Sequence, residues 1–245
     1  MNQREFERIQ GQICAQMDEL YEALRAKVPY ASAEALMQCK NTINQSPFEP
    51  RDARIQCKID SVIIRVSVDD IKHLSLPEED DAPNNAELHL SMDGSIDADL
   101  WMNHNENPWE KLSFRAELVI ITMKGRYSKS FHVDQIKGNG VASQEVHPQS
   151  HLHFSGQNES IRENIYIDVP RLVHYPLDMI LGLSVAMQNF APNTFEKLKE
   201  HSIFLHLCYL SQKRLLVPYF NMYTNCIDAD GKSNKNIREV CPYLV

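Results

Sequence analysis

The chain has 245 residues, 43% of them hydrophobic and 24% charged, a composition that suits a globular protein with a sizeable buried core. No apolar run approaches the roughly 20 residues that span a bilayer, and the charged start MNQREFERIQ lacks an apolar signal core, so the chain reads as cytoplasmic, with no membrane segment. The formal net charge of −8 excludes less than it suggests: residues 78–110 hold ten of the 33 acids and no Lys or Arg, leaving 23 acids against 25 bases elsewhere, so a nucleic acid or nucleotide partner stays open.

Residues 3–28 read as an amphipathic helix, because Phe6, Ile9, Ile13, Met17, Leu20 and Leu24 recur at three- and four-residue steps; Pro29 ends it. Its stripe either docks on the core or serves a partner. A second helix is expected over residues 32–43, with Ser32 as N-cap. The β-branched, alternating stretch from Arg54 to Val68 predicts one or two strands. Residues 77–85 read as a polar loop, with a short strand around Leu88 and Leu90, and the acidic region as a solvated surface or else a carboxylate cluster that binds cations or mimics nucleic-acid charge; its stretch 78–99 could also dock a partner. Residues 112–123 and 127–136 are the clearest strands, with Gly125 in their turn, and 150–155 and 163–169 are two more. LDMILGLSVAMQNF is a helix. TFEKLKEHSIFLHLCYLSQKRLL holds at least one more, apolar on most sides between Ile203 and Leu210 and therefore expected to be deeply buried, with Pro218 interrupting it. The order predicts an α+β fold of N-terminal helices, a central mostly antiparallel sheet and C-terminal helices. One domain spans 1–245, with a helical segment 1–46, a sheet core 52–170 and a helical segment 176–225.

None of the six cysteines forms a Cys-x-x-Cys pair, and no disulfide framework is expected; Cys14 and Cys208 read as small core residues. The histidines are more informative, since seven of the ten fall between His132 and His206. In HPQSHLHFSG, His151 and His153 alternate with Leu152, so a strand would aim both imidazoles at one face. SFHVDQ does the same for His132 and Asp134 on an earlier strand. If the two strands are neighbours, the pairs converge.

Imidazole titrates near neutrality, so two of them can act as general base and general acid on a phosphodiester. His151 and His153 are the candidate pair, Arg162 the candidate for stabilising phosphoryl charge, Asp134 an orienting carboxylate, and His132 and His147 supporting members. Alternatively, His151, His153 and Asp134 or His132 would hold a divalent transition metal. The plainer alternative is a set of histidines satisfied by cross-strand hydrogen bonds. Other motifs are weaker. Ser150 lacks a nucleophile elbow. DADGKSNKNIRE matches a calcium loop at Asp228, Asp230 and Glu239, but has Lys232 at a ligand position and Ser233 where glycine makes the turn, so it reads as a polar loop. His201 and His206 lie five apart and read as packing or capping residues.

HPQSHLHFSGQNESIR also resembles a family of uncharacterised bacterial proteins with His-Pro-x-Ser-His-Leu, a nearby glycine, an arginine, and then a helix ending in Asn-Phe. The matching residues here are His147, Pro148, Ser150, His151, Leu152, Gly156, Arg162, Asn189 and Phe190, with SFHVD standing for the family's aromatic-rich strand before the motif, and the resemblance covers about a quarter of the chain, Phe131 to Phe190. Where the family continues with Ile-Pro after the arginine, this chain has ENIYIDVP. The resemblance implies a component of mobile or antiviral gene clusters, and a toxin-like action on RNA. Two functions are thus expected: a defence or toxin-type effector acting on a nucleic-acid or nucleotide phosphodiester, or a non-catalytic subunit of a multi-protein complex that docks through the N-terminal helix and segment 78–99.

Overall fold

The structure, a computed structural model, describes residues 1–71, 85–103, 106–123, 125–136, 150–158 and 172–227. The loop expected over 77–85 (all but residue 85), the strand over 163–169, the calcium-like loop, His147 and Arg162 lie outside these residues. Six helices and six strands are described: α1 Gln3–Lys27, α2 Glu34–Gln45, β1 Arg54–Arg65, α3 Val68–Ile71, β2 Asn85–Asp97, β3 Trp109–Ile121, β4 Arg126–Ile136, β5 Ser150–Asn158, β6 Leu172–Val173, α4 Met179–Phe190, α5 Pro192–Lys199 and α6 Ser202–Ile227. Helices therefore flank a central sheet on both sides in the chain, and the fold is α+β. The strands form one meander in chain order, and every neighbouring pair is antiparallel.

Alternation along the strands sorts the sheet into two faces. Ile55, Cys57, Leu90, Met92, Leu112, Phe114, Phe131 and Val133 point to one face and are buried there. Helices α2 and α4 cover this face: Cys39 Sγ of α2 touches Cys57 Sγ at 3.3 Å, and Gly182 of α4 lies against the ring of Phe114. The α1 stripe is entirely buried in the same core, so its apolar face is not a free docking surface in this fold. Burying each such side chain contributes about 1.5–3 kcal/mol, which outweighs the modest propensity of any single helical residue. Asn2 caps α1, its side chain accepting from the Glu5 N–H at 2.9 Å.

Several boundaries depart from the sequence reading. β2 runs for 13 residues through the acidic stretch, because its acids alternate outward while Ala86, Leu88, Leu90 and Met92 face the core. Gly94 is needed in that strand, since a Cβ there would lie 2.7 Å from the Lys111 carbonyl and 2.8 Å from the Trp109 ring. Ser32 does not cap α2; its backbone pairs with Ile63 of β1 and its hydroxyl donates to Glu34, leaving Ala33 at the cap. Pro218 does not interrupt α6, which continues to Ile227. Proline removes the donor to the Arg214 carbonyl and crowds that carbonyl with its ring, but Phe204, Leu207, Ser211 and Leu215 anchor the preceding turns with no exposure and Pro218 is itself buried. Nor is the first half of α6 buried all round: Leu205 is 51% and Tyr209 58% exposed, because only the Phe204–Leu207–Ser211 side meets the core. Among the described residues no helix is long and apolar enough to cross a membrane.

One buried polar cluster ties α4 to α6. Asp178 caps α4, accepting from Ile180 N–H at 3.1 Å and Leu181 N–H at 3.0 Å, and Ser211 donates its hydroxyl to the other carboxylate oxygen. Arg214 lies 3.5 Å over the Trp101 ring, and burial draws its guanidinium down to about 10, so it stays cationic at neutral pH. Burial is the larger influence on Asp178 and raises its carboxyl, against the hydrogen bonds that lower it. A carboxyl raised in the fold binds its proton more tightly there than in the unfolded chain, so its contribution is most favourable below the unfolded value and declines as pH rises through the folded one. Asp178→Asn, which keeps an accepting oxygen without the charge, is expected to stay within about 1 kcal/mol of wild type at pH 7 and to flatten the acid end of the stability profile. Asp178→Ala orphans two N–H groups and a buried hydroxyl and is expected to lose about 3 kcal/mol. Urea denaturation across pH distinguishes the two.

Candidate functional site on the polar sheet face

The face turned away from α2 and α4 carries the polar residues. Its centre is set by the β4–β5 register, in which His132 lies directly opposite His153 and Asp134 directly opposite His151. Since both strands place alternate residues on this face, the four side chains form a two-by-two block. The rings of His132 and His153 stack with centroids 4.5 Å apart and planes 9° from parallel. His151 meets His153 edge-on at 4.8 Å. Asp134 Oδ2 lies 3.4 Å from His132 Nε2. A carboxylate there favours the proton on Nε2 and leaves Nδ1 as the basic nitrogen.

Exposure divides the block by role. His132 is about one-third exposed (34%) and His153 is half-buried, so both reach solvent. His151 lies between Asp134 and β6 in the ladder and is only 7% exposed. The structure thus brings together four of the six candidates, His132, Asp134, His151 and His153; the other two, His147 and Arg162, fall outside the described residues. Ser150 points to the opposite, core face.

The same face extends over β3 and β2. Arg115 is opposite His132, Ser113 opposite Asp134, and Glu117 opposite His89. Arg115 is 55% exposed and pairs with Glu117 at 3.1 Å, and His89 pairs with Glu87 at 3.2 Å. None of these five residues was a site candidate on sequence grounds. The alternation in KLSFRAEL did mark Arg115 and Glu117 as sharing a face, but only the β3–β4 register makes it the histidine face.

Among the described residues no three of His, Cys, Asp and Glu are arranged to hold a metal ion. The expected trio of His151, His153 and Asp134 shares a face without forming such a group, and His132 does not complete one with His153. Ring-nitrogen lone pairs lie in the ring plane, so two stacked, nearly parallel imidazoles aim theirs side by side instead of at a common point. No protein-family model, curated protein or solved structure matches the chain.

Proposed function

We propose that the polar sheet face is a phosphodiester-processing site and that the chain is an effector of the defence or toxin type acting on a nucleic acid or nucleotide. The observation carrying this reading is the in-register block, in which the stacked His132 and His153 both reach solvent and a carboxylate orients one of them. His132, held by Asp134, takes the proton from the attacking oxygen. His153 gives a proton to the leaving oxygen as the P–O bond breaks. His151, buried behind His153, holds that ring in position.

The competing reading is a non-catalytic subunit; with the apolar stripe of α1 packed in the core, it would dock through the polar side of that helix and segment 78–99. The test is a substrate screen on purified protein: single- and double-stranded RNA, single-stranded DNA and cyclic dinucleotides, each with EDTA and with added divalent metal. Cleavage that persists in EDTA is the expected result. Cleavage that requires metal would replace the acid–base mechanism, and no turnover of any of these phosphodiesters would favour the subunit reading.

A further inference from the structure

We propose that Arg115 is the anion anchor of this face, holding the phosphoryl group against His132 and His153, and that Glu117 occupies the guanidinium until the anion arrives. The inference rests on the phosphodiester reading above and adds the cation that reading needs. Phosphoryl chemistry on imidazoles requires a group for the non-bridging oxygens, and a guanidinium fork matches them in geometry as well as charge. Antiparallel register places Arg115, His132 and His153 in one row across β3, β4 and β5, with neighbouring strands about 4.8 Å apart. A tetrahedral anion over His132 lies within reach of side chains on both sides of it. Arg115 is free to swing, being more than half exposed, and its partner sits on its own strand two residues on. An ion pair whose cation is more than half exposed is screened by solvent and weakly held, so a phosphate that also gains two imidazole contacts displaces Glu117.

The pair makes opposite predictions for its two members. Titration of the full chain with inorganic phosphate, followed through the imidazole NMR resonances of His132 and His153, is expected to give saturable shifts in wild type. Arg115→Gln is expected to weaken phosphate at least tenfold, and Arg115→Lys to recover only part of that loss. Glu117→Gln is expected to tighten phosphate severalfold, an effect that loss of a structural ion pair would not produce. If phosphate leaves the imidazoles of the wild-type protein unmoved, the phosphodiester reading falls and the anchor with it. If phosphate binds the wild type but Arg115→Gln binds it equally well, or Glu117→Gln binds it more weakly, the anchor alone is overturned.

Discussion

Replacing His153 by alanine is expected to lower phosphodiester cleavage by about 10²–10⁴-fold, the range for loss of a general acid, while the melting temperature stays within a few degrees of wild type. His153 is half-buried on an open face and its ring rests on other polar rings, so truncation leaves no apolar cavity. His151 makes the contrasting case: at 7% exposure, its removal empties a buried position and is expected to cost stability as well as rate. A steady-state assay paired with thermal denaturation separates the two. If His153→Ala lowers melting in proportion to its activity, the imidazole stack is a structural device and the catalytic assignment fails. If activity is unchanged, His153 is not the acid.

The second large effect lies on the other side of the sheet. Gly182→Ala is expected to destabilise the protein by about 2 kcal/mol, although alanine is the better helix former by about 1 kcal/mol. A Cβ at this position would fall 2.4–2.6 Å from three atoms of the Phe114 ring, and Phe114 is fully buried. Overpacking of this kind costs roughly 1–3 kcal/mol and here involves several atoms at once, so it outweighs the propensity gain. Urea denaturation measures the loss, and a melting temperature lower by about 4–8 °C should accompany it. The double variant with Phe114→Leu should recover part of the loss, giving a coupling that independent sites would not show. A stable Gly182→Ala would mean that α4 can lift from β3 without cost.

Much of the fold was legible because it depends on local periodicity. The α1 stripe repeats with the helical turn, β3 and β4 alternate cleanly, and the spacing of His151 and His153 commits both to one face of any strand. The matching parity of His132 and Asp134 follows from the same rule. Signals that compete locally were misread. The acids of β2 hid most of its length, because polar residues on a sheet's outer face look like a loop when read without the partner strands, and only the short strand around Leu88 and Leu90 was legible. Pro218 reads as a stop in isolation, yet the surrounding turns of α6 are anchored strongly enough to carry the helix past it.

By itself, the sequence determined which residues share a face within each element: the α1 stripe, the core side of β3, and the two pairs of site residues. These are consequences of backbone geometry over a few residues, which no distant contact alters. Only the tertiary structure decided which faces meet. Strand register, set by hydrogen bonding along the whole sheet, put Asp134 opposite His151, stacked His132 on His153, and brought Arg115 to the same row. It also decided that α6 leaves Leu205 and Tyr209 in solvent. Hydrophobicity measures what a residue would gain by burial, whereas the number of faces a helix can bury depends on how many neighbours reach it.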